Sequence, residues 1–255
     1  MTTTLTPRVL VRGPGLRPPH LAHGPLLWVV RAPEPGAPLD ESVLDAAERR
    51  RAAALRRPAE RALYVAAHSA LRRVLSAYTG IAAPALRLIR QSCPRCGDLH
   101  GRPALAGPAG QGVHFSLSHS GGLALLGLAS APVGVDVQRV PDPRLAAEAS
   151  RALHPSERAQ LENLPPKARV AAFARCWTRK EAFLKATGDG LSLRALHELY
   201  VGTGPRPAGP TGWAFADVEM PMGWTAACVA GLSVPATPPV RPPVRCASRG
   251  SRVRR

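Results

Sequence analysis

Apolar residues recur along this chain in two rhythms. At Val113, Phe115 and Leu117, and again at Val133, Val135 and Val137, every second position is apolar, the mark of a half-buried strand. From about residue 60 to 77 the apolar positions Leu63, Ala67, Leu71, Val74 and Leu75, with Tyr78 just beyond, fall three and four apart. That spacing predicts a helix. A second helical stripe, Val170, Phe173, Trp177 and Leu184, follows Pro165-Pro166 and ends at Gly188, a fitting C′ residue. Further strands are predicted over 26–30, 86–90, 123–130, 199–202, 212–218 and 224–232. Asp40 is expected to cap a helix running through the Glu48-Arg49-Arg50-Arg51 run, and His154-Pro155-Ser156-Glu157 to open a short helix with proline in its first turn.

The pattern divides the chain. Residues 1–24, rich in Pro, Gly and Arg, predict an extended N-terminal arm, and residues 235–255, Pro- and Arg-rich with little to bury, predict a disordered basic tail. Between them helices and strands occur in two blocks, 25–130 and 131–234, meeting near 130–132, with no repeat visible between them.

Polar positions within this frame suggest chemistry. In 133–138 the valines take one strand face, leaving Gly134, Asp136 and Gln138 on the other. That face offers a carboxylate, an amide oxygen and room for close approach. On the second helix Trp177, Glu181 and Lys185 share one ridge, with Lys180 three residues after Trp177. An ordinary i,i+4 ion pair beside a core tryptophan is the plain reading of that ridge, and a solvated face that of the strand. A carboxylate from each element is alternatively a ligand pair for Mg²⁺, which takes one or two carboxylates together with substrate phosphates and water. The strand at 113–117 leads into Ser118-His119-Ser120-Gly121-Gly122, expected to form a polar turn suited to an anion. A Ser–His nucleophile is set aside, because adjacent strand residues point to opposite faces and no nucleophile elbow is present.

Together these segments resemble the Sfp-type 4′-phosphopantetheinyl transferases. The resemblance rests on Leu117-Ser118-His119-Ser120, then Gly134-x-Asp136-x-Gln138, then Trp177-x-x-Lys180-Glu181-Ala182, Lys185 and Gly188-Asp189-Gly190-Leu191. It covers about residues 113–191, with a weaker extension through His100-Gly101-Arg102-Pro103 and the arginine-rich helix around Arg61. Gln138 departs from the pattern, since the family most often has Glu there.

The resemblance implies an α+β fold of two similar α/β subdomains related by a pseudo-twofold axis, with coenzyme A in the cleft between them. It implies transfer of 4′-phosphopantetheine to a serine of an apo acyl or peptidyl carrier protein, in secondary metabolism such as polyketide or nonribosomal peptide biosynthesis. Asp136, Glu181 and Gln138 would hold Mg²⁺. Glu181 would also deprotonate the serine, Lys185 stabilise charge on the leaving phosphate, and Lys180 serve as a second phosphate-side cation. Ser118 and His119 would contact the 3′-phosphate, as would Arg51 and Arg61 by approximate alignment. Arg102 would meet the adenine edge or the phosphates, and Trp177 would shape the pocket wall. By analogy the protein would be a monomer.

Composition narrows the alternatives. The chain has 255 residues, 45% of them hydrophobic but only 4% aromatic, so Ala, Leu and Val must build the core. No apolar run approaches the roughly 18 residues of a membrane-spanning helix. The opening residues lack the basic and apolar regions of a secretory signal, so a cytoplasmic location is expected. A formal charge of +17 implies polyanionic partners. Arg241, Arg245, Arg249, Arg252, Arg254 and Arg255 invite nucleic acid, but interleaved aromatics and a recognisable binding motif are missing. Coenzyme A and an acidic carrier protein are the preferred anions. A non-enzymatic nucleic-acid-binding protein, or a degenerate carrier-binding homologue lacking activity because of Gln138, are the alternatives.

Five cysteines, an odd number, suit a reduced compartment. Cys93-Pro-Arg-Cys96 with His100 offers three ligands to Zn²⁺ but no evident fourth. A simple turn leading into His100-Gly101-Arg102-Pro103 is the preferred reading.

Overall fold

The computed structural model describes residues 4–9, 20–21, 24–190 and 192–232. Two 22-residue helices organise it, α2 (Pro58–Thr79) and α5 (Pro166–Thr187). Each opens with proline, whose missing N–H costs nothing in a first turn. Each ends at a glycine in the left-handed conformation, Gly80 (φ 71°) and Gly188 (φ 83°). Both helices lie where the apolar spacing predicts them.

Each helix covers one four-stranded sheet. The first runs β2 (Arg8–Val9), β3 (Leu26–Arg31), β7 (Leu123–Ala129), β6 (His114–Ser120); the second runs β1 (Thr4–Leu5), β9 (Trp213–Val218), β10 (Trp224–Gly231), β8 (Val133–Arg139). Helix α2 buries Leu71, Val74 and Leu75 against Trp28, Leu126 and Leu128 of the first sheet. Helix α5 sets Ala182, Phe183 and Ala186 on Ala227 and Val229 of the second. The opposite faces of the sheets share a core in which Leu27, Val29 and Leu125 meet Val133, Val135, Val137 and Cys228. The mixed α+β class is therefore as the sequence suggests. Two short arm segments, β1 and β2, add parallel edge strands to β9 and β3. The 235–255 tail lies outside the described residues.

The two sheets are joined along β6 and β8 by side chains. Ser116, Ser118 and Ser120 point to one side of β6. Their hydroxyls accept from the backbone N–H of Val135 (3.1 Å), Val137 (3.3 Å) and Arg139 (3.1 Å) in turn. This ladder corrects the expected 118–122 turn: the strand continues through Ser120, and only Gly121 and Gly122, with φ of 54° and 92°, make the turn. Gly134 also takes on a definite task. A Cβ there would collide with Ala182 O and Ala186 N, so the glycine seats the backbone of α5 directly on β8. The room it leaves belongs to a helix, not a ligand.

Other expectations are corrected. Helix α1 (Ala46–Ala53) is capped by Asp45, not Asp40; Asp45 accepts from Glu48 N while Glu48 accepts from Asp45 N, a capping box. Asp40 instead binds the Ser42 backbone and hydroxyl. Residues 199–202 form no strand, because the Val201 and Gly202 N–H groups bond the carboxylate of Glu157 rather than a neighbouring chain. Helix α3 (Pro143–Ser150), capped by Asp142, helix α6 (Leu193–Glu198), capped by Ser192, and the hairpin of β4 (Leu88–Arg90) with β5 (Pro103–Leu105) complete the fold. The short helix opened by His154 is present as α4 (Pro155–Glu162). No helix among the described residues is long and apolar enough to cross a membrane.

Candidate active site

Asp136 sits mid-strand in β8, wholly buried, on the face that Gly134 opens to α5. Its Oδ1 accepts from Ser118 Oγ (2.7 Å) and Lys185 Nζ (2.6 Å), and Lys185 also reaches Ser118 Oγ at 2.8 Å. Gln138, two residues along, donates its amide nitrogen to Asp136 Oδ2 at 3.3 Å. Glu181, one helical turn before Lys185, accepts from Trp177 Nε1 at 2.7 Å. Trp177, Glu181 and Lys185 thus form the ridge that the i,i+4 spacing predicts.

The electrostatics of this cluster are unbalanced. Burial first, and the nearby Asp136 carboxylate second, push the Glu181 carboxyl up to about 7, against the pull of Lys185 and the Trp177 hydrogen bond. Lys185 is the cation between the two acids, with 34% of its side chain exposed. Two carboxylates converging with one ammonium in a low-dielectric setting leave room for further positive charge. An oxygen donor set of this kind fits a hard divalent cation.

Glu181 and Lys185 line a cavity of about 560 Å³. Its walls continue through Arg90, His100, Arg102, His119 and Gly190. His119 stands on β6 opposite the serine ladder and faces the cavity. Partial burial, and then Lys185, hold its ring below the ordinary histidine range. Arg102 donates to Ala186 O (3.1 Å) and Gln91 Oε1 (3.0 Å), joining the β4–β5 hairpin to the end of α5. Its stem fills the space where a Gly188 side chain would stand, so Gly188 is required both by its φ of 83° and by this contact.

Some predicted site residues lie elsewhere. Lys180 is fully buried and bonds Glu157 Oε2 at 2.7 Å, with further bonds to Leu196 O and Leu199 O. It lies four residues after Cys176, on a stripe turned away from Glu181 and Lys185. Its three donors are spent inside the protein. Ser118 faces Asp136 and β8, on the strand face opposite His119. Arg61 pairs with Glu41 at 2.9 Å, Arg51 is exposed on α1, and neither lines the cavity. Arg90 and Glu157 were not singled out by the sequence. Glu157 closes a His-x-x-Glu box at the third position of its helix, a readable signal for capping but not for the buried lysine it receives.

The arrangement has relatives. Residues 132–210, which include β8 and α5, match the 4′-phosphopantetheinyl transferase superfamily. The chain is 32% identical over 170 residues to the protein slr0495 of Synechocystis sp., a match covering 66% of each chain. It is 32% identical over 184 residues to the 4′-phosphopantetheinyl transferase HetI of Nostoc sp., covering 70% of this chain and 74% of HetI. Over 94 residues it is 31% identical to the 4′-phosphopantetheinyl transferase Sfp of Bacillus subtilis, covering 37% of this chain and 41% of Sfp. With its carboxylates, lysine and helix ridge inside the matched span, the chain belongs to the 4′-phosphopantetheinyl transferase superfamily of enzymes.

Proposed function

We propose that the protein transfers 4′-phosphopantetheine from coenzyme A to a serine of an apo acyl or peptidyl carrier protein, in the cytoplasm and in the service of secondary metabolism. The observation that carries the reading is that Glu181 and Lys185, the latter bonded to the buried Asp136, line a cavity whose walls also carry Arg90, Arg102 and His119. A cavity of about 560 Å³ that carries Arg90, Arg102 and Lys185, and whose acids Asp45 and Glu48 are already paired with Arg72, suits a large polyphosphate ligand.

In the reaction the carrier serine Oγ bonds to the β-phosphorus, and the bond from that phosphorus to the bridging oxygen breaks. Adenosine 3′,5′-bisphosphate leaves. Little covalent help is needed; positioning and charge neutralisation dominate phosphoryl transfer. Asp136 and Glu181 would hold Mg²⁺, and Gln138 would join them only with its amide turned to present oxygen. When bound, the metal supplies positive charge at the pyrophosphate. Glu181, ionised when the metal is bound, would accept the serine proton. Lys185 Nζ, which faces Asp136 and Ser118, would turn toward the leaving phosphate and neutralise it. Trp177 fixes the Glu181 oxygen that is not to react. His119 and Arg102 are offered as contacts for the nucleotide phosphates. The serine ladder holds Ser118, and through it Asp136, at a fixed height on β8.

The test is direct. Incubation with coenzyme A, Mg²⁺ and an apo carrier protein should add one phosphopantetheine to the carrier by mass, and omission of Mg²⁺ should stop it. An unmodified carrier from each of the acyl and peptidyl classes would remove the proposal.

A further inference from the structure

The loop between β4 and β5 carries a cluster that the transfer reaction does not use. Cys93 Sγ, Cys96 Sγ and a ring nitrogen of His100 all lie within 4.8 Å of one another, and Cys96 Sγ is 3.0 Å from His100 Nε2. Zinc bonds of about 2.3 Å to sulfur and about 2.0 Å to nitrogen put tetrahedral ligand atoms about 3.5 Å apart. The three atoms are therefore gathered at nearly the spacing one ion would impose.

The backbone is shaped for the same purpose. Gly97 N–H donates to Cys93 O (2.9 Å) and Cys93 N–H to Asp98 O (2.7 Å), closing the Cys-x-x-Cys turn on itself. Gly97 takes φ 81°, open to few side-chain-bearing residues, directly after the second cysteine. The N–H groups of Cys96 and Arg95 point at Cys93 Sγ, so the turn wraps its backbone donors around that sulfur. A disulfide would require only the two sulfurs. The imidazole brought to the same point favours a metal.

We propose that Cys93, Cys96 and His100 bind one Zn²⁺, with Asp98, which faces Cys96, or solvent in the fourth position. The ion clamps the far end of a hairpin whose near end carries Arg102. Gly101 N–H donates to Gln91 O and Gln91 N–H to Arg102 O, both at 2.9 Å, and Arg95 lies 3.6 Å from Asp189 beyond the end of α5. Zinc thereby holds the rim that Arg102 and His100 give to the cavity. This consequence rests on the proposed function; the binding itself does not.

The experiment is metal analysis of the full chain, purified without a metal-binding tag and reconstituted with Zn²⁺ under reducing conditions. One zinc per chain should survive dialysis, and Cys93→Ser, Cys96→Ser and His100→Ala should each lower the affinity at least about tenfold, the loss seen when even outer-sphere partners are removed. Co²⁺ in place of zinc should show thiolate-to-cobalt charge transfer and the strong visible bands of a tetrahedral site. If a variant fails to fold, mercurial modification of the wild-type thiols should release the zinc stoichiometrically. A chain that holds no zinc after reconstitution overturns the proposal, as does a Cys93→Ser/Cys96→Ser protein that holds as much as wild type. A protein that binds zinc through these residues yet modifies no carrier leaves the metal site standing and removes the functional reading instead.

Discussion

Arg72 and Lys180 occupy the same place in two matching helices. Each lies fourteen residues past the proline that opens its 22-residue helix, and each is wholly buried. Each binds the third-position glutamate of a capping box on the short helix that precedes it, Arg72 to Glu48 of α1 and Lys180 to Glu157 of α4. The residues one turn earlier, His68 and Cys176, touch the same two glutamates. A pseudo-repeat thus exists in the buried ion pairs although the side chains that build it differ.

This relationship makes Lys180 a structural cation. Lys180→Met leaves Glu157 charged and uncompensated in the core, a loss of about 3–5 kcal/mol for a broken buried pair. Urea unfolding should show it. Lys180→Arg should recover part of the stability, and its KM for coenzyme A should match that of the wild type. A selective rise in KM at wild-type stability would return Lys180 to the phosphate.

Glu181→Gln should behave in the opposite way. If Glu181 takes the serine proton, its removal should lower turnover by about 10²- to 10⁴-fold, the usual contribution of a general base. Stability should not suffer, because the folded carboxyl is pushed from 4.5 up to about 7 by burial and Asp136, so its charged form opposes folding. The sign follows: the folded, metal-free protein binds this proton more tightly than the unfolded chain. This group therefore costs stability as pH rises from about 4.5 through 7. Melting curves of the metal-free wild type and variant should diverge across that window, with the variant the more stable at its upper end.

How far the site was legible follows from what kind of information fixes each part. Asp136, Glu181, Lys185 and Trp177 are set by the two- and four-residue periods of one strand and one helix, and these survive folding unchanged. Lys180 is i,i+3 from Trp177 and i,i+4 from Cys176, equally good neighbours in sequence, and only the distant Glu157 decides between them. Ser118 turns toward β8 because its partner is the edge of a different sheet, 19 residues away, and strand pairing through hydroxyls has no sequence period. Residues 199–202 looked like a strand because Tyr200 and Val201 suit one, but a buried carboxylate claimed the N–H groups that a ladder needs.

Magnesium should compete with the Glu181 proton. A ligand carboxyl titrating near 7 must be ionised to bind metal. The apparent Mg²⁺ affinity should therefore fall about tenfold per pH unit well below 7. Trp177 donates to Glu181, so its fluorescence offers a readout independent of turnover. Glu181→Gln should flatten the pH dependence. An unchanged slope in that variant would place the titrating ligand elsewhere.

His119→Ala should raise KM for coenzyme A by about tenfold or more, the value of one hydrogen bond to a charged group. The effect should be smaller for dephospho-coenzyme A, which lacks the 3′-phosphate. Since burial and Lys185 disfavour the imidazolium, wild-type selectivity for coenzyme A should grow only as pH falls below 6.5, the ordinary histidine value, where that cation becomes populated. Equal losses on both nucleotides would detach His119 from the 3′-phosphate.

Gln138→Glu tests the departure from the family pattern. The amide of Gln138 donates to Asp136 Oδ2 at 3.3 Å, so it now relieves a buried carboxylate that already has Glu181 for a neighbour. A glutamate removes that donor and adds a third acid to the cluster. Without metal the three carboxyls repel, so the Glu181 carboxyl should move further above 7 and the metal-free protein should melt earlier at pH 8 (about a unit above that titration). With metal the same charge is attractive, and a third carboxylate oxygen strengthens binding of a hard cation. The Mg²⁺ concentration for half-maximal turnover should therefore fall, while the stabilisation that Mg²⁺ gives in a melting experiment grows. Both changes must come together. A lower melting point with an unchanged Mg²⁺ requirement would mean that residue 138 touches Asp136 but not the metal, leaving Asp136 and Glu181 as the protein's ligands.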